Sequence, residues 1–150
     1  MQRLPNKNKR LSGSDPIIIM INKIKNYFYK KKEVVAVYLF GSFASGKNRL
    51  MSDVDIAILL HPEYMNSANF FRQEYISQLG RQLRKDIHPV ILNHAGEVLL
   101  KQILFKGNPV LVKDPKYNKQ FKMVSLSRIA DFNFYLGKMQ SGLKKSILEA

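Results

Sequence analysis

Two short apolar runs, Val34–Phe40 and Val54–Leu60, the second interrupted only by Asp55, limit the folds open to this chain more than any other feature. Runs of this length that are apolar on both faces read as buried strands, which requires helices packed over the sheet. A third strand is expected from Asp86 to Leu92 and a short fourth from Pro109 to Val112. Helical spacing fills the gaps. Ser14-Asp15-Pro16 opens a helix with Ile17, Ile21, Ile24 and Phe28 on one side, closed by Lys30-Lys31-Lys32. A second helix runs from about Ser67 to Arg84 with Phe71, Tyr75, Leu79 and Leu83 on one face, and a third from Glu97 to Phe105. The long last segment, about Lys119 to Leu148, places Ile129, Phe132, Leu136, Met139 and Leu143 by threes and fours, a stripe expected to join the core rather than form a docking surface, with Phe134 and Tyr135 off it leaving room for a partner interface. With a short helix allowed between the first two strands, the order predicts an α/β (α+β) fold: a small mixed sheet flanked by helices, ending in a long helix.

Between the two apolar strands lies the segment that carries chemistry. Gly41-Ser42 follows the first strand, and Asp53-x-Asp55 opens the second. Alternate residues of a strand share a face, so the two carboxylates point the same way and repel each other unless a cation sits between them. Mg²⁺ (or Mn²⁺) suits hard oxygen ligands of this kind and bridges to substrate phosphates. Glycine at position 41 lets backbone approach a phosphate closely, and Ser42 adds a hydroxyl and an amide. Within the same residues, Gly41-x-x-x-x-Gly46-Lys47 imitates a phosphate loop. That pattern fails at Asn48, where a hydroxyl residue is required, and too few residues remain before the next strand for the helix such a loop must enter.

Composition sets the bounds. The 150 residues suit one domain, which we place at 14–150 behind a loose basic terminus at 1–13. No cysteine is present, which removes disulfide frameworks and thiolate metal sites and favours a reducing cytoplasm. The apolar run Ile17 to Ile21 is too short to cross a membrane and precedes lysines rather than a cleavage site. The net charge of +14 lies outside the motif: residues 34–100 carry six basic and six acidic side chains. The flanks are therefore basic, open to an acidic protein or to RNA. No aromatic-basic stacking pattern supports nucleic acid.

The Gly-Ser and Asp-x-Asp arrangement resembles that of the DNA polymerase β-like nucleotidyltransferases, and the small size resembles their minimal members (MNT). Ile91-Leu92-Asn93, the Leu99 to Phe105 helix, Gly107, Asp114 and the aromatic stretch Ala130 to Tyr135 are similar in order to the MNT antitoxins that pair with HEPN-domain toxins. The resemblance implies AMP transfer from ATP to a tyrosine of a partner HEPN RNase toxin, which neutralises it. It also leaves open an impaired domain that neutralises by contact, or a transferase acting on a small molecule or RNA. By the same resemblance, Gly41 and Ser42 bind the phosphates, while Asp53, Asp55 and Asp86 are both metal ligands and catalytic residues. Ser52 is placed with the nucleotide, and Lys47 and Arg49, in the loop between the two halves of the motif, either steer its phosphates or are simply exposed.

The third acidic position departs from the family. Counting back five residues from Asn93 lands on His88, whereas Asp86 stands one pleat away on the same strand face, roughly 7 Å off. Either Asp86 moves in, or His88 substitutes as ligand or base; imidazole is a poor Mg²⁺ ligand but suits Zn²⁺ or Mn²⁺-like ions. A half-buried structural histidine beside Pro89 is the alternative. His61 and His94 read as structural turn residues.

Overall fold

The computed structural model describes residues 15–42 and 53–149. Helix α1 (Pro16–Tyr29) starts where expected: the Asp15 side chain accepts the Ile17 N–H at 2.9 Å, and Pro16 occupies the first turn. Strands β1 (Val34–Phe40) and β2 (Val54–Leu60) follow, then helix α2 (Ala68–Leu83), β3 (Ile87–Ile91), α3 (Glu97–Lys106), β4 (Asn108–Val112) and α4 (Pro115–Glu149). Two 3₁₀ turns, Pro62–Ser67 before α2 and Leu92–His94 after β3, add to the elements expected from the sequence. The short helix expected between β1 and β2 and the basic terminus at 1–13 lie outside the described residues.

The sheet has the order β3-β2-β1-β4. β1 pairs antiparallel with both β2 and β4, and β2 pairs parallel with β3, so the sheet is mixed, as anticipated. The parallel step needs a crossover, which α2 supplies. Alternate residues feed two cores. Val37, Leu39, Val54, Ile56 and Ile58 pack beneath α1 and α2, while Ala36, Tyr38, Ala57 and Leu59 pack beneath α3 and α4. Both central strands are thus covered on both sides, which is why they contain no polar alternation. β3 is an edge strand, where Pro89 removes no ladder donor. The Pro89 carbonyl is taken by Arg72 Nε of α2 at 3.0 Å.

Polar clamps hold the layers. Asn93 closes the end of β2, accepting the Leu60 N–H and donating to the Leu60 carbonyl, each at 2.9 Å. Buried Glu33 accepts the Tyr75 hydroxyl at 2.8 Å, and Tyr38 donates to Asn118 of α4 at 2.7 Å.

Two expectations need correction. α1 turns Met20, Ile24, Tyr27 and Phe28 inward, whereas Ile17 is exposed, because β-strand contact begins only at its second turn. More consequentially, the stripe along α4 is not core. Ile129 is 4% exposed, but Met139 is 69% and Leu143 64% exposed, along with Phe134, Tyr135 and Ile147. The sheet ends before this half of the helix begins, so none of the described residues covers it. No helix among the described residues is long and apolar enough to cross a membrane.

Candidate active site

β2 carries the acidic pair into the middle of the sheet. Asp53 immediately precedes the strand and Asp55 is its second residue, so both belong to the face of Ala57 and Leu59. In the sheet register Asp55 stands beside Phe40 of β1 on one side and His88 of β3 on the other. The end of β1 therefore delivers Gly41 against Asp55. Gly41 has φ +72°, and a Cβ there would overlap the Asp55 carboxylate. Glycine is needed both for the left-handed backbone and for the close approach. Burial lifts the Asp55 carboxyl above the ordinary carboxylate range; His88 opposes the rise and Asp53 adds to it.

His88 completes the group. Its Nε2 lies 3.0 Å from Asp53 Oδ2, and both side chains remain more than half exposed. Asp86 lies just before β3, where its backbone carbonyl accepts the Val54 N–H at 2.9 Å. The residue aligned with the acidic pair is thus His88. Asp86 lines the adjoining cleft together with Asp53 and His88. His88 is exposed rather than half buried, because β3 is an edge strand and α3 and α4 pack chiefly against β1. Ser52, Lys47 and Arg49 lie outside the described residues.

Among the described residues, no three His, Cys, Asp or Glu side chains converge as a metal-binding group. The donor set is two carboxylates flanked by an imidazole. One or two carboxylates completed by substrate phosphates are an ordinary Mg²⁺ environment, so Asp53 and Asp55 fit a hard cation that binds together with a nucleotide. The imidazole does not extend that set for Mg²⁺.

The same end of the sheet opens into a cleft of about 690 Å³ between α2 and β3. Asp53, Asp86 and His88 line it, with Arg72, Arg84 and Lys85. No sequence motif marked these three cations. They meet only because α2 crosses back along the edge strand.

The family model described as polymerase beta, nucleotidyltransferase, matches residues 22–116, from within α1 to the start of α4. The chain belongs to the polymerase beta nucleotidyltransferase family. Gly41, Ser42, Asp53, Asp55 and His88 all fall within the matched segment of this nucleotidyltransferase. The protein adenylyltransferase MntA of Shewanella oneidensis is 37% identical over 71 residues, 47% of this chain and 49% of MntA, so the match spans about half the length of that curated relative. One chain of a solved toxin–antitoxin complex with AMP-PNP is similar at a TM-score of 0.63, with 23% identity over 85% of this chain and 98% of that one. A chain from the complex of a tri-AMPylated Shewanella oneidensis HEPN toxin with MNT antitoxin is similar at 0.60, with 21% identity over 87% and 98%. These likenesses bear out the expected nucleotidyltransferase fold.

Proposed function

We propose that this nucleotidyltransferase moves AMP from ATP to a tyrosine of a HEPN-domain toxin and so neutralises it. The observation that carries the reading is the packing of Gly41 against Asp55 beside the Asp53–His88 pair, within a family whose relative MntA is a protein adenylyltransferase. Gly41 and Ser42 bind the triphosphate through backbone amides and a hydroxyl, with Lys47, Arg49 and Ser52 assigned to the same phosphates. Asp53 and Asp55 hold the divalent cation. Bound there, that cation would withdraw charge from the phosphate oxygens. The tyrosine oxygen forms a bond to the α-phosphorus as the bond from that phosphorus to the pyrophosphate oxygen breaks. In the tautomer that donates its Nε2 proton to Asp53, His88 takes the phenolic proton at Nδ1. Products are the adenylylated tyrosine and pyrophosphate, and the proton passes to water. The cytoplasm, which holds ATP, is the compartment we assign.

Complexes of toxin with antitoxin among the similar structures support a HEPN partner. The uncovered apolar half of α4 offers that partner a surface. An imidazole at the third acidic position favours one second reading, neutralisation by binding alone.

Incubation with the HEPN partner and α-labelled ATP separates the two. Label is expected on the partner with wild type and not with Asp53→Asn/Asp55→Asn, which also fails to neutralise. Absence of label, with the double variant neutralising as well as wild type, overturns the transferase and leaves steric inhibition.

A further inference from the structure

The cleft between α2 and β3 has a feature that neither the fold nor the motif demands. Arg84 ends α2 in the left-handed conformation, with φ 53° and ψ 42°, and donates its N–H to the Gly80 carbonyl. It is the one non-glycine residue with positive φ among those described. Helices that end this way generally place glycine there, since a side chain costs about 1–2 kcal/mol in this conformation. Arg84 instead places an arginine in the lining of the cleft, and no described residue pairs with its side chain. Strain of this kind, retained beside a candidate active site, points to use of the side chain.

The position of the cleft indicates what it meets. In an in-line displacement the attacking and leaving oxygens lie on opposite sides of the phosphorus. Gly41 and Ser42, assigned to the triphosphate, follow β1; the cleft lies along β3; and β2 with its acidic pair runs between them. Pyrophosphate therefore leaves over β1, and the acceptor arrives over β3 past His88. We propose that this cleft is the acceptor subsite, and that Arg84 and Arg72 select a tyrosine flanked by acidic side chains. The assignment rests on the transferase reading for its orientation.

The lining favours protein over RNA. Asp53 and Asp86 stand in the same cleft and repel a continuous phosphate backbone, and among the described residues no Phe, Tyr or Trp lines it for base stacking. Discrete carboxylates placed opposite two guanidiniums are the better match. Arg72 is already anchored to Pro89 through Nε, which presents the rest of its guanidinium in a fixed direction.

The test uses the full chain and two synthetic peptides, Glu-Glu-Tyr-Glu-Glu and Gln-Gln-Tyr-Gln-Gln. Binding is followed by fluorescence anisotropy, and transfer by label from α-labelled ATP. The acidic peptide is expected to bind and to accept label at least tenfold better. Arg84→Gly is expected to weaken its binding and labelling about tenfold, leave the neutral peptide unchanged, and keep Tm at or above that of wild type because the backbone strain is relieved. Equal labelling of the two peptides, or indifference to Arg84→Gly, overturns the subsite and leaves the transferase standing. Arg84-dependent binding of the acidic peptide with no label on it, or on the HEPN partner, overturns the acceptor role together with the transferase. Tighter Arg84-dependent binding of an oligouridylate than of the acidic peptide overturns it in favour of RNA.

Discussion

Asp55 shows how a functional residue opposes the fold that holds it. The strand buries its carboxyl, and that burial raises its affinity for a proton. A carboxyl whose pKa is raised on folding favours the folded state while protonated, and loses that contribution as pH rises through the folded value. At neutral pH the ionised group is a burden. Asp55→Asn is therefore expected to raise Tm at pH 7, with the difference shrinking as pH falls through the raised carboxyl value and gone below about 4, while abolishing transfer. Thermal melts across that range check it; a lower Tm at pH 7 would show that Asp55 stabilises the chain. Gly41 was recognisable from its motif, since a strand that runs into Gly-Ser ahead of a paired aspartate suits a bound phosphate and little else. His88 was not. Counting residues left it level with Asp86, and only the pairing of Asp55 with His88 across β2 and β3 separated them.

At the scale of elements, the clearest dependence is between α2 and the turn before β1. Tyr75 packs edge-on against Phe28 at 4.9 Å between ring centroids while its hydroxyl satisfies buried Glu33. Burial, and after it the hydrogen bond to Glu33, push the phenol's pKa well above its usual value. Tyr75→Phe keeps the packing and leaves a buried carboxyl short of a donor, which costs about 1–3 kcal/mol. Urea unfolding with an unchanged slope and a lower midpoint is the expected result; no change in midpoint would mean that water replaces the hydroxyl. The helix face carrying Tyr75 and Leu79 was legible as periodicity. The Glu33 contact was not, since a lone glutamate after three lysines reads as surface.

For the whole molecule, α4 matters most. Its first half, from Asn118 to Ile129, closes the core over β1, and its second half extends beyond the sheet with an apolar stripe uncovered. Met139→Glu/Leu143→Glu is expected to leave Tm within about 1 °C of wild type, since solvent-facing changes are near neutral, while abolishing co-purification with the HEPN partner. A clear fall in Tm would show that the stripe packs within the chain. Unchanged co-purification would place the partner elsewhere.

The same helix separates local from tertiary information. Period, composition and motif spacing were enough to establish the helices, the two central apolar strands and the Gly41-Ser42 and Asp53-x-Asp55 motif, because each is written in residues near one another along the chain. A periodic apolar stripe states that a face seeks cover, not what covers it, so the fate of residues 132–148 had to await the dimensions of the sheet. His88 beside Asp55, Arg72 and Arg84 across the cleft, and Glu33 beneath Tyr75 depend on the register between strands and the path of α2. Those are set by the packing of the whole core, where the energy of many contacts decides which distant residues become neighbours.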